Sequence, residues 1–194
     1  TIDLIFGTPL LTDEKWHYNV ETATRLGIPH LSCYALTSEE GTLLHHQIKK
    51  GLLPEPLQED QARQFEWLVQ SLEVKGYEHY EISNFALPGH RSRHNSSYWK
   101  GTPYLGLGPS AHSFNGTSRQ WNVANNAIYI RSLQQDNIPF EQETLTTVQS
   151  LNEYIMISLR TAEGLVNDKL RAHMDEHTYA LFTQKIHNYI SREL

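Results

Sequence analysis

The sequence predicts an α/β fold followed by a small helical domain, and two patterns along the chain support this prediction. Residues 2–36 have the pattern of strand, helix and strand with short connections. Two parallel strands joined by a helix form a right-handed crossover, the unit of α/β barrels and doubly wound sheets. From residue 146 onward, apolar residues recur at helical spacing. We therefore predict one domain over residues 1–145 and a helical, truncated domain over residues 146–194.

The first strand of the crossover is a short apolar run that contains one acidic residue. Residues 2–6 read IDLIF, and the Gly-Thr-Pro that follows ends the strand. Thr12 is placed to cap the next helix, and Gly27 is placed to end it. Residues 31–36 then form the second strand. Helical spacing predicts that one face of the intervening helix carries Trp16, Val20, Ala23 and Leu26.

Further helices and one strand are predicted beyond the crossover. The helices cover residues 43–50, 58–75, 125–135, 146–159 and most of 165–190, and the strand covers residues 77–82. A parallel pair of strands is not stable alone, because such strands are normally covered on both faces and have neighbours. We infer that the chain is the later part of a larger protein. The alternative is that strands from residue 77 onward complete a small sheet.

Composition and charge exclude several classes of function. The 194-residue chain has a formal net charge of -6, which argues against a dedicated nucleic-acid binder. No apolar run approaches the roughly 20 residues of a membrane-spanning helix, so we predict a soluble protein with no evident membrane association. Cys33 is the only cysteine, which excludes an intrachain disulfide and favours a location in the reducing cytoplasm.

Asp3 is the first candidate site residue, because a carboxylate within an apolar strand is unfavourable unless it is paired. The carboxyl ends of parallel strands are also where barrel enzymes place their sites. Tyr34 and Ala35 end the next strand, so a ligand at this sheet edge would contact both regions. The alternative is a structural hydrogen bond from Asp3 to a neighbouring loop. Residue chemistry alone does not separate the two interpretations.

Residues 77–114 form the second candidate region, where histidines, arginines and aromatic residues are crowded between glycines. The imidazole of His94 can ligate iron, and Tyr98 and Trp99 can stack on a flat macrocycle. Arg91 and Arg93 can pair with propionate groups. Together these are the requirements of a porphyrin site. The alternative, favoured by spacing alone, is that the aromatic residues belong to a core and the arginines to a solvated surface.

Five sequence blocks in order resemble the oxygen-independent coproporphyrinogen III oxidase family of radical S-adenosylmethionine proteins. They are DLIFGTP at residues 3–9, HLSCYALT at 30–37, YEISNFA at 80–86, HNSSYW at 94–99 and LGLG at 105–108. The resemblance extends over essentially the whole chain. It implies that the α/β part consists of the last strands and helices of a partial (β/α)6 radical SAM barrel, followed by a small helical C-terminal domain.

The resemblance also implies cofactors and site residues. Residues equivalent to Asp3, Ile5 and Ala35 line the S-adenosylmethionine site in the family, and the equivalent of His112 lies near the substrate or a second nucleotide. The cysteines that hold the family's 4Fe-4S cluster belong upstream of this chain. Cys33 cannot supply three thiolates, so we expect the chain alone to be inactive and to be a C-terminal fragment of a radical protein.

Two branches of the family differ in function. One is the oxidase, which decarboxylates two propionates of coproporphyrinogen III; the other is a haem chaperone, which binds haem and delivers it to haem-acceptor proteins. The HNSSYW block is similar to the HNxxYW motif of the chaperone branch, and His112 points the same way. The resemblance therefore favours the haem chaperone, with His94 as the candidate iron ligand and Tyr98 and Trp99 as its packing partners.

A third hypothesis is a structural or interaction module whose histidines only stabilise loops. In any of these cases, strand edges left exposed by the missing part of the barrel could pair with a second copy of the chain, which predicts a homodimer as one outcome.

Overall fold

The computed structural model describes residues 1–192, which divide into two compact units. The first unit comprises Thr1–Arg93, and the second begins at His94. This division does not coincide with the domain boundary predicted between residues 145 and 146, which remains a prediction of domain organisation. Within the described residues, no helix is both long and apolar enough to cross a membrane.

The first unit is a four-stranded sheet with helices packed on it. Strands β1 and β2 are parallel, and all other neighbouring strands are antiparallel, in the order β1-β2-β4-β3. The parallel pair predicted for the crossover is therefore confirmed, and two strands after residue 77 join the same sheet. Its elements are β1 (Ile2–Phe6), α1 (Asp13–Arg25), β2 (His30–Ala35), α2 (Leu43–Lys49), α3 (Gln58–Val74), β3 (Glu78–Glu81) and β4 (Asn84–Ala86).

Helix α1 begins and ends where its sequence predicts. The Thr12 side chain accepts a hydrogen bond from the backbone N–H of Lys15, and Gly27 has a φ of 68° just after the helix. The predicted apolar residues Trp16, Val20 and Ala23 are buried, whereas Leu26 is 67% exposed. Leu26 differs because it is the C-cap residue, where the chain turns away.

One face of the sheet is buried under helices α1 and α3. The core that they form with the sheet includes Phe6, Trp16, Val20, Leu31, Cys33, Leu68, Leu72 and Phe85. Buried Gln64 of α3 joins these layers. Its side-chain Oε1 accepts from the Gly7 N–H at 2.9 Å, and its backbone carbonyl oxygen accepts from Trp16 Nε1 at 3.1 Å. Position 7 requires glycine, since its φ is 66° and a Cβ there would overlap the side chain of Gln61.

The second unit contains a three-stranded antiparallel sheet and five helices among the described residues. The predicted helices after residue 125 are confirmed, and Thr146 and Gln149 form a capping box at the start of one of them. Helix α4 and the sheet β5-β6-β7 were not predicted. The elements are α4 (Arg93–Trp99), β5 (His112–Phe114), β6 (Ser118–Asn122), α5 (Asn126–Leu133), β7 (Phe140–Thr144), α6 (Thr147–Ser158), α7 (Asn167–His173) and α8 (Glu176–Ile190).

The second unit has almost no fully buried apolar residue. Leu170 is the one apolar side chain in this unit that is buried, within the part of the chain that the structure describes. The apolar face predicted for α6 is only partly covered, and Leu159 after its end is 65% exposed. Local hydrogen bonds, caps and ring contacts therefore hold this unit more than a core does.

Candidate functional site

The first candidate region is the sheet face that helices α1 and α3 do not cover. Side chains alternate between faces along a strand, so Asp3 and Ile5 lie opposite the core side of β1. Both are exposed, and in register they lie beside Ser32 and Tyr34 of β2. The sequence indicated that a carboxylate in this apolar strand needs a partner; in the structure Asp3 is exposed, so its carboxylate is not desolvated within the chain.

Ala35 lies at the end of this face rather than on it. Its register partner is Phe6, a core residue, which places Ala35 on the core side of the sheet. It is nevertheless exposed, because the core does not extend to the last residue of β2. The structure thus brings Asp3 and Ile5 together on one face and puts Ala35 at the carboxyl end of the adjacent strand. Their assignment to S-adenosylmethionine remains a prediction.

A row of polar side chains crosses the sheet on the same face. Asp3 is the register partner of Ser32, Ser32 of Asn84, and Asn84 of Glu81. Glu81 is buried, and its Oε2 accepts from the Ser83 N–H at 3.1 Å and from Asn84 Nδ2 at 2.5 Å. Sequence reasoning missed this row, because it depends on register between strands far apart in the chain.

His30 is a buried histidine at the margin of this row, and it was also missed. Its Nδ1 is 2.7 Å from Thr1 Oγ1, and its Nε2 is 2.8 Å from the hydroxyl of Tyr80. The same hydroxyl accepts from the Ser92 N–H at 3.2 Å, which leaves its proton for His30. Burial lowers the pKa of His30 and raises the pKa of Tyr80. The alternation of His30, Ser32 and Tyr34 was the sequence signal for a polar face.

Arg91 belongs to the first unit and is already engaged there. Its Nε donates to Glu78 Oε2 at 2.8 Å, and its guanidinium lies 5.2 Å from the ring centroid of Tyr80. The sequence marked Arg91 as a candidate partner for a carboxylate ligand. In the structure, its carboxylate partner is a side chain of the protein.

The second candidate region is centred on helix α4. His94 and Tyr98 are one helical turn apart and exposed, with 3.3 Å between His94 Nε2 and the Tyr98 hydroxyl. Their rings meet edge to face at 5.1 Å, and Tyr98 meets Tyr104 at 4.9 Å. The row continues to Phe114, which pairs with Tyr104 across a β-bridge. The structure thus places the predicted imidazole beside exposed aromatic surface.

Trp99, the third predicted residue of this region, packs against an arginine from outside the motif. The guanidinium of Arg160 lies 5.1 Å from the centroid of the Trp99 ring. The indole Nε1 is buried and has no hydrogen-bond partner among the described residues. Arg160 follows helix α6 in the chain, and no local pattern in the sequence connected it with the HNSSYW block.

His112 begins strand β5 and is exposed, with its ring 6.2 Å from that of Trp121. In the glycine-rich turn before it, the backbone at Gly106 closely approaches the protein's own strand β5. A Cβ on Gly106 would overlap the backbone carbonyl of His112, and the Gly106 N–H donates to Ser113 Oγ at 3.0 Å. The role of His112 at a substrate or second nucleotide site remains a prediction.

The residues of this chain do not fit a 4Fe-4S cluster. Cys33 is 1% exposed within the core, and burial raises the pKa of its thiol to about 12. Such a thiol is protonated at neutral pH and cannot reach a cluster. No group of three His, Cys, Asp or Glu residues suited to a metal ion occurs between residues 1 and 192. The exposed face around Asp3 and Ile5, by contrast, offers a carboxylate acceptor and apolar surface suited to a nucleoside.

Comparison with known sequences identifies relatives over nearly the whole chain, although no family model matches. The chain is 33% identical over 191 residues to the heme chaperone HemW of Mycobacterium tuberculosis, an alignment that covers 97% of this chain and 48% of that protein. It is 34% identical over 166 residues to HemW of Bacillus subtilis, covering 85% and 44% respectively. The mitochondrial radical S-adenosyl methionine domain-containing protein 1 of Danio rerio is 31% identical over 176 residues, covering 86% and 40%.

Comparison with solved structures supports the fold. Coproporphyrinogen III oxidase (HemN) of Escherichia coli, a radical SAM enzyme, superposes with a TM-score of 0.70 at 20% identity, covering 92% of this chain and 43% of that one. The fold and the relatives together show that the chain is similar to part of the radical SAM proteins, over an α/β region and a helical C-terminal part. Within that class the chain is a homologue of the heme chaperone HemW, and it spans about half the length of the curated relatives it matches.

Proposed function

We propose that this chain is part of a radical SAM haem chaperone that binds haem near His94 and delivers it to acceptor proteins. The observation that carries the proposal is the exposed His94 imidazole beside Tyr98 on α4, in a chain homologous to HemW. The relatives' name supplies the function, and the geometry of α4 supports haem binding at this position.

The arrangement around His94 suits a haem iron in two respects. The imidazole is exposed, so a ligand can approach its Nε2 without opening a core. The contact from Nε2 to the Tyr98 hydroxyl is long at 3.3 Å and involves an exposed side chain, so its loss costs little. The rings of Tyr98 and Tyr104 lie next to this position and offer surface for a macrocycle.

A haem titration followed by absorption spectroscopy tests the proposal. His94→Ala should weaken haem binding about tenfold or more, since loss of an axial ligand removes well over 1.4 kcal/mol. His177→Ala is the matched control, because His177 is also exposed on a helix but lies outside the motif. We expect the control to retain the wild-type Soret band and affinity. An unchanged band and affinity in His94→Ala would reject His94 as the ligand.

The predicted S-adenosylmethionine site belongs to the same proposal. Asp3, Ile5 and Ala35 are proposed to contact S-adenosylmethionine; Ile5 and Ala35 lie near the carboxyl ends of β1 and β2, and Asp3 lies near the amino end of β1 on the same face as Ile5. In the longer protein, a 4Fe-4S cluster would supply the electron for radical chemistry, with ligands from outside this chain. Asp3→Asn should lower S-adenosylmethionine affinity in equilibrium dialysis, and Asp13→Asn, on the helical side of the sheet, should not.

The runner-up function is that of coproporphyrinogen III oxidase, which the fold similarity to HemN favours. Its test is anaerobic conversion of coproporphyrinogen III by the longer protein with its cluster reconstituted. Product formation would establish the oxidase, whereas haem binding without conversion supports the chaperone. If the protein neither binds haem nor converts the porphyrinogen, the structural or interaction module stands.

Cytoplasmic location and pairing of copies through the β1 or β3 edge stay predictions, the latter checked by sedimentation.

A further inference from the structure

Strand β7 is an edge strand of the second unit, and its outer side carries unpaired backbone groups. Within the described residues it pairs with β6 alone. Pro139 and Leu145, just beyond its two ends, each make a backbone hydrogen bond toward β6 at 2.9 Å. Backbone groups alternate between the two sides of an antiparallel strand, so those of Phe140, Gln142 and Thr144 point away from β6.

The outward row formed by Phe140, Gln142 and Thr144 is open. All three residues are exposed, and no backbone hydrogen bond reaches them from other parts of residues 1–192. The row therefore presents N–H donors and C=O acceptors at the spacing of a β-ladder. An extended segment of another chain binds such an edge by adding a strand, because its main chain supplies the missing hydrogen bonds.

Two glutamates between these positions give the edge a charge. Glu141 is exposed and has no ion pair among the described residues. Glu143 lies 3.9 Å from Arg119, whose closer partner is Glu153 at 2.8 Å. In an antiparallel added strand, the residues opposite Glu141 and Glu143 would form the pairs without hydrogen bonds, where side chains approach most closely. Lysine or arginine at those positions would form favourable cross-strand pairs.

The same glutamates argue against a second copy of β7 as the occupant. When two such strands pair antiparallel, the outward residues of one must face the outward residues of the other. Every register that engages at least two of them from each copy then sets one glutamate directly opposite another. Like charges at opposed positions are destabilising. A basic partner avoids this repulsion, and the net charge of -6 attracts it.

We propose that the outer edge of β7 binds an extended, basic segment of a partner protein, which joins the sheet as an antiparallel strand. Lysine or arginine at alternate positions of the segment would face Glu141 and Glu143. The residues between them would hydrogen-bond with the backbone of Phe140, Gln142 and Thr144. The inference makes no use of His94 or of haem, so it is tested separately from the proposed function.

Fluorescence anisotropy of a labelled peptide in which lysine alternates with threonine tests the inference on the full-length protein. Glu141→Lys should weaken binding about tenfold, since it replaces opposite charges by like charges. Gln142→Pro should also weaken binding about tenfold, because it removes an outward N–H at an edge position where proline is tolerated. Glu59→Lys is the matched control, because Glu59 is an exposed glutamate on α3 in the first unit. It should leave the affinity unchanged.

A second peptide separates strand addition from charge attraction. It has the same sequence with N-methyl groups on the threonines, so it keeps every charge but lacks the N–H donors that the edge needs. We expect it to bind the wild type about tenfold more weakly. Because this comparison uses the wild type, it does not depend on the folding of Gln142→Pro.

Three results would overturn the inference. Equal binding of the two peptides would mean that charge attraction alone holds them. Unchanged affinity in Glu141→Lys would place the peptide elsewhere on the molecule. If the wild type binds neither peptide, Glu141 and Glu143 only protect the edge from self-association. A haem titration on the same samples reports independently on the proposed function.

Discussion

The two units of the molecule differ in where their apolar side chains lie. Among the described residues, every buried apolar side chain except Leu170 belongs to residues 1–93. In that first unit, Phe6, Trp16 and Leu68 meet in a core under the sheet. The second unit instead relies on an antiparallel sheet of polar strands, capped helices and ring contacts such as that of Arg160 with Trp99.

The difference shows that the two candidate regions are supported in different ways. The residues around Asp3 lie on a sheet whose other face is a packed core, so their positions are set before any ligand arrives. The residues around His94 lie on a short helix that contributes no buried side chain. A ligand that binds there adds apolar contact where the unit has little of its own, which suits a group that is bound and later released.

Removing the largest core side chain should produce the greatest effect and should affect the first unit. Trp16 is fully buried and donates from Nε1 to the Gln64 carbonyl. We expect Trp16→Ala to lower the free energy of unfolding by about 3–5 kcal/mol, measured by urea denaturation. Trp67→Ala is the control: Trp67 is half-buried and stacks on His17, so about 1 kcal/mol is expected. Equal losses would mean that the first unit has no dominant core.

A glycine substitution in the second unit should also lower the free energy of unfolding, by less than Trp16→Ala does in the first unit. Gly106→Ala places a methyl group against the His112 carbonyl, and the overlap should cost about 1–3 kcal/mol. Amide exchange should increase in β5 and β6 but not in the sheet of the first unit. Leu105→Ala is the neighbouring control, because Leu105 is 75% exposed and its truncation should change stability by less than about 0.5 kcal/mol. If both variants behave alike, the close approach at Gly106 does not matter.

The smallest expected effect is a pH dependence that belongs to the first unit. Burial lowers the pKa of His30 below its ordinary value of 6.5, so the unfolded chain binds the proton more readily. The contribution of His30 to the free energy of unfolding is therefore fully present above pH 6.5. It declines as the pH falls toward the lower pKa that His30 has in the folded state. Urea titrations between about pH 7 and pH 5 should show a shallower decline in His30→Gln than in the wild type.

The matched comparison for this pH dependence is Tyr80→Phe. That variant removes the hydroxyl 2.8 Å from His30 Nε2 but keeps the imidazole buried, so the decline with falling pH should persist. A decline that is the same in His30→Gln and in the wild type would assign the pH dependence to other groups.

Sequence patterns correctly predicted the helices whose caps and apolar spacing depend only on neighbouring residues. Thr12 and Thr146 cap their helices as predicted, and the apolar spacing of residues 58–75 corresponds to α3 at Gln58–Val74. Strands β6 and β7 were missed because they read SRQWN and FEQET, without the apolar alternation that marks a half-buried strand. Helix α4 was missed because its residues were interpreted by their side-chain chemistry rather than by their spacing.

For the candidate sites too, the sequence indicated features that lie within one element but not those that depend on other elements. Sequence blocks indicated Asp3, Ile5, Ala35, His94, Tyr98, Trp99 and His112, and the structure brings Asp3 to Ile5 and His94 to Tyr98 because each pair lies within one element. It also shows an exposed Asp3 where a buried carboxylate was expected. Burial depends on what covers a strand, and the sequence of the strand does not contain that information.

The sequence by itself determined the crossover, the helix caps and the resemblance to radical SAM proteins, because these depend on residues close together in the chain or on matched blocks. Tertiary structure decided the polar row from Asp3 to Glu81, the partners of His30 and the stacking of Arg160 on Trp99. Each of these joins residues from separate elements. Strand register and the packing of distant segments set such contacts, and neither is encoded at any single position.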